Sequence, residues 1–556
     1  MVRNLPFRTV LASALVLNLA ASPTMLSAQQ TPEEVPSLTI RTNTRLVVVD
    51  VVVRDKKGQP ITGLKPEDFT VEENGKKQRI ATFTPPGANQ GSSQTLPPGI
   101  LSNKPEFLKP AGVPTVLLLD GANSQFKDQA YGRYQMLKYA AEQTQAGKPM
   151  AVMTLTDRLR VVQNFTTDPK ILRAAINNLR PQSPILQPAA AVPTLTADSG
   201  LSGANSLAVS VAQAALASFQ DMVAEYNLER RTVITLQALQ DLSRMLSGFS
   251  GRKTVVWLTA DFPLDLIPKD QNMENLELLA DLPSVKQSSV DRQRVNGHYE
   301  ERVAKFADAI KHGEADLASA GIAIYPVDMR GIMMSGIDSN TTFALQDLAA
   351  ETGGKAYTNQ NEIKDGIELA VADEDASYSL GYYPDNKKWD GKFRTIKVKL
   401  DRGDTEVRSR KGYFAVDPTP DKNWKPDQEV VDAFQLSGPA TQVSFMAQVK
   451  PTDPGKARVM FLVDAHTLST EDTSGGAKMN VTFYAGVYNS SGKNLGGARS
   501  IKVEHTFDAA TLQQVMAKGL QVPLDIDAPA DAKQVRLVVL DNKTGLLGTV
   551  SGPLAQ

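Results

Sequence analysis

Thr115-Val116-Leu117-Leu118-Leu119-Asp120-Gly121-Ala122-Asn123-Ser124 is an apolar run that ends on a carboxylate and passes into small polar residues. An unbroken apolar stretch of this length suits a parallel strand covered on both faces, because each face must then meet a hydrophobic layer. An amphipathic helix follows, with Ala130, Tyr134, Leu137 and Ala141 on one side. Strand, carboxylate tip, polar loop and helix are the opening of an open α/β sheet, in which ligands bind at the carboxyl ends of the strands. Small oxygen donors at such a tip suit a hard divalent cation such as Mg²⁺.

The same alternation continues outward from this segment. Met150–Leu155, Thr254–Leu258 and Ile322–Val327 have the composition of buried strands. Between them run helical patterns: Leu172, Ala175, Ile176 and Leu179 after the Asp168-Pro169 start, and Leu228, Thr232, Thr235, Leu239, Leu242 and Leu246 in a third stripe. The spacing predicts a doubly wound, mostly parallel α/β domain over 113–375. Two insertions interrupt it. Residues 181–207 are rich in Pro, Ala, Ser and Thr and read as a long mobile loop, and 262–298 are polar and charged.

On either side the period changes to that of strands. A β-branched run, Leu46–Val53, opens an all-β unit over 38–85 with a turn at Asn74-Gly75. Residues 86–112, rich in Gly, Ser and Pro, read as a linker. Strands return at 376–415. Two or three strands alone are marginal, so these are expected to pair with the N-terminal unit and make the α/β domain an insertion. Residues 425–556 alternate in the manner of a β-sandwich.

Composition narrows the function. Sixty basic residues balance 61 acidic ones, which argues against nucleic-acid binding and against a polybasic membrane contact. Arg3 and Arg8, the apolar stretch Val10–Ala21 and the small residues to Ala28 read as a signal peptide over 1–28, so the expected location is outside the cytoplasm, periplasmic or extracellular. There is no cysteine, and no later stretch of the sequence is long and apolar enough to span a membrane. The four histidines are scattered, and no His-Glu-x-x-His, phosphate-binding loop or nucleophile elbow is present, so an enzyme is not expected.

Three segments together resemble the von Willebrand factor A (VWA)-related proteins of the acidobacterial type. They are Leu46-Val47-Val48-Val49-Asp50-Val51 with Gly63-Leu64-Lys65-Pro66-Glu67-Asp68-Phe69; Leu348–Tyr357, which contains Glu351-Thr352-Gly353-Gly354; and Tyr378-Ser379-Leu380-Gly381-Tyr382-Tyr383-Pro384 with Arg410-Lys411-Gly412-Tyr413-Phe414. The resemblance covers roughly 40–415. It implies a VWA-like fold and a metal site built from an Asp-x-Ser-x-Ser loop, a Thr on a second loop and an Asp on a third. Asp120 and Ser124 match the first loop, but Ala122 stands where the first Ser would be. The second-loop Thr falls in 181–207, with Ser206 as a candidate, and Asp261 is one position late for the third loop. Asp120, Ser124 and Asp261 are therefore the expected metal residues, holding Mg²⁺ weakly or not at all. The expected function is binding or adhesion to a protein or cell-surface ligand through the carboxyl-end loops. The alternative is a structural or envelope-assembly protein whose C-terminal sandwich makes the contacts.

Overall fold

Five strands form the central sheet, in the order Ile322–Asp328, Lys253–Thr259, Thr115–Asp120, Met150–Leu155 and Leu159–Thr166. The first four are parallel, and the last returns antiparallel to its neighbour at the sheet edge. The computed structural model describes residues 7–9, 46–88, 94–108, 112–142, 147–182, 206–263, 306, 309–331, 339–359, 362–417, 419 and 424–554. Most of residues 1–28, read above as a signal peptide, and most of both insertions (183–205 and 264–305) lie outside these. Of residues 1–28 only Phe7–Thr9 are described, as a short strand beside Ala498–Ser500.

The continuous apolar strands are explained by what covers them. Val116, Leu118, Val255 and Trp257 face one layer, which includes Leu239 and Leu242 of the helix Ser206–Leu246. Leu117, Leu119, Val256 and Leu258 face the other, with Met136 and Tyr139 of the helix Phe126–Glu142 and Ile367 of the helix Ile363–Ala372. None of these eight strand side chains is more than 3% exposed, so neither face is free for solvent. The helix Ser206–Leu246 is 41 residues long, about 60 Å at the α-helical rise. It begins inside the segment expected to be loop. Gly353, at φ 76°, ends the helix Ser339–Thr352, and a Cβ on Gly354 would stand 1.9 Å from the Ile324 carbonyl oxygen. The pair of glycines in the motif is thus required by chain reversal and by backbone contact with the sheet.

Strands from before and after the α/β unit interleave. One four-stranded sheet runs Thr405–Ser409, Val47–Asp55, Ser377–Tyr382, Ile80–Thr84, and a second runs Gly412–Phe414, Phe393–Leu400, Phe69–Glu73, Lys76–Gln78. The run Thr405–Phe414 breaks at Arg410-Lys411 and changes sheet there. The tyrosines of the motifs are structural. Tyr382 and Tyr413 both donate to the buried Glu73 Oε2, at 2.7 and 3.0 Å, and Tyr378 donates to the Ile61 carbonyl at 2.8 Å. Tyr383, one position on from a buried Tyr382, is exposed, as strand alternation requires.

The C-terminal sandwich pairs a sheet of Asn494–Phe507, Gly476–Tyr488, Gln534–Asp541 and Leu547–Pro553 with one of Leu520–Asp527, Lys456–Val463, Phe445–Pro451 and Ile100–Ser102. The last of these strands corrects the reading of 86–112 as a linker. Ile100–Ser102 pairs with Phe445–Pro451, and the fully buried Asn103 fixes the join. Its amide donates to the Ala440 and Val443 carbonyls at 2.7 and 2.8 Å and accepts from Phe445 N at 2.8 Å. Three residues of edge strand are too short to stand out in a Pro- and Gly-rich stretch. Replacing Asn103 by Ala strands three buried backbone groups, so unfolding of the full chain in urea should show a loss of about 2–4 kcal/mol. A loss under 0.5 kcal/mol would mean that the edge strand contributes little.

Lys253 begins a central strand, is buried, and donates to the Ala320 carbonyl at 2.6 Å. Burial pulls its pKa down from the usual 10.5 to about 8, with Asp50 opposing the shift. Its folded-state pKa is below the unfolded one, so the unfolded chain binds more protons between pH 8 and 10.5 and stability rises over that range. Lys253→Met should raise stability at pH 7 by about 1–3 kcal/mol and flatten this rise. Equal pH slopes in wild type and variant between pH 8 and 10 would refute it.

Candidate functional site

Asp120 ends its strand at the point where the sheet's connections part. The chain leaves Thr115–Asp120 for the helix Phe126–Glu142 on one face, whereas the helix Ser206–Leu246 reaches the neighbouring strand Lys253–Thr259 from the other face. The divergence leaves a crevice at the strand tips. Asp120 lies at its floor and is fully buried. Its Oδ1 accepts from Asn123 N at 2.9 Å; its Oδ2 accepts from Asn123 Nδ2 at 2.9 Å and Trp257 Nε1 at 3.0 Å. The Thr259 hydroxyl stands 2.9 Å from Oδ2 and 2.6 Å from the Asp261 carbonyl, and has one proton to give. Burial pushes the Asp120 pKa up, and the bonds from Asn123, Trp257 and Thr259 act against that shift.

The structure brings the three expected residues to one place. Ser124 Oγ accepts from Ala260 N at 3.0 Å, tying the first loop to the third. Asp261 accepts from Thr341 Oγ1 at 2.9 Å and from Phe262 N at 2.8 Å, and its second oxygen pairs with Arg231. Arg231, buried on the long helix, also donates through Nε to Asn123 Oδ1 at 2.9 Å. A guanidinium therefore bridges the first and third loops, in the role the resemblance gives to a metal ion. Asp120 and Asp261 are both engaged by protein donors, and Ala122 has no oxygen to add. As arranged, these residues do not present the open, oxygen-lined position that Mg²⁺ requires.

Ser206 opens the long helix, with its side chain outside the described set; the helix meets the site through Arg231 and Thr235, whose Oγ1 accepts from Asn123 Nδ2 at 3.1 Å. Sequence reasoning missed Arg231, Thr235 and Thr341 as site residues. A signal for Arg231 was present: Leu228, Arg231 and Thr235 share a helical stripe at spacings of three and four. Asp328, at another strand tip, closes a local turn by accepting from Arg330 N at 2.9 Å and Arg330 Nη2 at 2.8 Å.

Beside the Asp120 loop lies a groove of about 650 Å³ whose walls include Gly121, Ala122, Asp157, Arg160, Arg180 and Arg230. Gln129 braces it, donating to the Ser124 and Gln182 carbonyls at 2.9 and 3.0 Å and accepting from Gln182 N at 2.9 Å. Asp157 is held down to about 2 by its Arg160 and Thr156 bonds, despite partial burial, so it stays ionised and offsets one of the three arginines.

No known family's sequence profile matches the chain. No curated protein matches it either. Among solved structures it is similar to proximal thread matrix protein 1 from the mussel byssus, at 9% identity and TM-score 0.22 over 48% of this chain; it spans 47% of that protein's length. It is also similar to an aerotolerance-related membrane protein from Bacteroides fragilis, at 9% identity and TM-score 0.23, covering 47% of this chain and 98% of that one. A von Willebrand factor type A structure from Catenulispora acidiphila gives 10% identity and TM-score 0.24, covering 80% and 74%. The α/β assignment rests on the strand order above, not on these scores.

Arg231→Met leaves the buried Asn123 carbonyl without its donor and removes the cation from Asp261, whose side chain is 33% exposed. Water can reach Asp261, so the expected loss in urea unfolding is about 2–3 kcal/mol, below that for a fully buried pair. An unchanged midpoint would show that the bridge carries no stability.

Proposed function

We propose that this chain is an exported, non-enzymatic VWA-type binding protein that takes a protein or cell-surface ligand on the carboxyl-end rim of its α/β sheet, with no resident metal ion. The observation that carries this reading is the groove beside the Asp120 loop, at the sheet's switch point, where ligands of such sheets bind. Its loops are held from below by the Asp120 and Arg231 bonds, so the rim is preorganised rather than assembled by an ion. Arg160, Arg180 and Arg230 against one Asp157 leave the rim positive. That favours a ligand bearing carboxylates or other anions and makes association salt-dependent. The sequence resemblance and the absence of recognisable catalytic motifs from the sequence point the same way.

The test is capture of partners from the native envelope by the full chain. Arg180→Glu with Arg230→Glu, both exposed positions, should leave the fold intact and remove the captured partners, whereas a chelator should leave capture unchanged. Loss of capture in chelator alone would overturn the metal-free reading. Capture that survives the double reversal but is lost in Lys450→Glu with Arg458→Glu would move the binding surface to the C-terminal sandwich.

A further inference from the structure

A second cleft, of about 610 Å³, opens where the three units meet, far from the strand tips of the first site. Its walls come from the edge of the N-terminal sandwich, from helix 309–319 of the α/β unit and from the start of the C-terminal unit. Two of the three tryptophans in the chain, Trp389 and Trp424, line it together with Tyr413. Trp389 and Tyr413 lie with ring centroids 6.2 Å apart. Junctions between domains with aromatic walls and a few placed polar groups are the usual setting of small-ligand sites.

Two arginines, Arg244 and Arg410, line this cleft with Asp316, Asp417 and Glu429, and the two arginines are placed differently. Arg244 is paired with Glu429 and lies 3.4 Å from Asp241. Burial pushes the Asp316 carboxyl up to about 6, against the pull of Arg244 and His312. The Asp417 carboxylate is taken by Thr419, at 2.9 Å from its N and 2.8 Å from its hydroxyl. Arg410 is different. It is buried, and one Nη donates to the Val48 carbonyl at 2.7 Å. Its Nε has no hydrogen-bond partner, and its guanidinium lies 5.8 Å from the Tyr413 ring centroid. Among the described residues no carboxylate forms an ion pair with it; Asp50 acts on it only from a distance. A buried guanidinium in this state carries a desolvation cost that an anionic group would relieve, and its planar fork suits a carboxylate.

We propose that this junction cleft is a binding site for a carboxylate with a flat apolar body, the carboxylate seated on Arg410 and the body packed against the wall that Trp389, Tyr413 and Trp424 line. A free aromatic acid and the C-terminus of a peptide ending in an aromatic residue share that chemistry. The site is independent of the rim groove, and each can fail without the other.

The experiment uses the full chain and its tryptophan fluorescence. Trp389 and Trp424 report on the cleft, while Trp257 is buried in the α/β core. The probes are 4-phenylbutyrate, its amide, and the peptide Ala-Ala-Phe with a free or an amidated C-terminus. A saturable fluorescence change is expected with at least one of the two acids, weakened tenfold or more in the matching amide. Which acid binds more tightly distinguishes the two sources. Arg410→Gln should weaken binding at least tenfold. Since Arg410 also holds the Val48 carbonyl, Ser319→Trp provides a second variant: it is exposed on helix 309–319 at the cleft, should keep the circular dichroism of wild type, and should abolish binding. Equal affinity for acid and amide, no saturable change with either acid, or binding unaffected by Ser319→Trp would each overturn the proposal.

Discussion

A carboxylate with no access to water governs the carboxyl end of the α/β sheet. Asp120 sits at the tip of the central strand, and its oxygens are matched by the Asn123 backbone and side chain, the Trp257 indole and the Thr259 hydroxyl. Such a group is tolerated only while its donors stay in place. It therefore fixes the first loop to the neighbouring strand, and Ser124 repeats the tie one residue later by accepting from Ala260 N. Asn123 then offers its carbonyl to Arg231, and Arg231 reaches Asp261. One buried carboxyl group thus orders two loops and a long helix.

A second carboxylate does comparable work between units. Asp373 accepts from Tyr325 Oη of the central sheet at 2.9 Å and pairs with Arg54 and Arg408 of the N-terminal sandwich. Arg252 donates to Tyr325 Oη and to the Gly353 carbonyl, both at 2.8 Å. Burial would raise Asp373, but the two arginines and the tyrosine hold it below the ordinary carboxylate range, so it is ionised. The α/β unit is inserted between strands of one sandwich, and this cluster sets how the insert sits on its host. The C-terminal unit is attached by the Arg244–Glu429 ion pair and by backbone and hydroxyl contacts such as Thr441 N to the Arg244 carbonyl at 2.7 Å and Gly248 N to Thr441 Oγ1 at 2.8 Å. The junction cleft is what remains between these two attachments.

The central strands were legible because both of their faces are buried. Thr115–Leu119 and Ile322–Val327 are continuous apolar runs, and such runs have few other uses. The edge strand Leu159–Thr166 was not legible: beyond Leu159 its residues are only half-buried or exposed, and Arg160, Gln163 and Asn164 interrupt its apolar pattern. Ile100–Ser102 was hidden by its length and its Pro and Gly neighbours. At the site, Asp120 was legible as the carboxylate at a strand tip, whereas Ser124 and Asp261 were named through the resemblance to VWA domains. Arg231 was passed over because a charge on a helix is ordinarily solvated; its place beside Leu228 and Thr235 on one helical stripe hinted at burial, but only tertiary packing shows that it meets Asn123 and Asp261.

The sequence by itself determined the α/β alternation, the strand tips that carry Asp120 and Asp261, and the missing oxygen at Ala122. These follow from local periodicity and from side-chain identity at positions a few residues apart. The tertiary structure alone decided which groups the carboxylates meet. Arg231 lies 111 residues from Asp120 and 30 from Asp261, and Trp257 lies 137 from Asp120. No local pattern encodes a pairing over such separations, because it depends on how helix and sheet pack. The same packing sets the Arg231 guanidinium between Asn123 and Asp261, on the two loops that the resemblance gives to a metal ion.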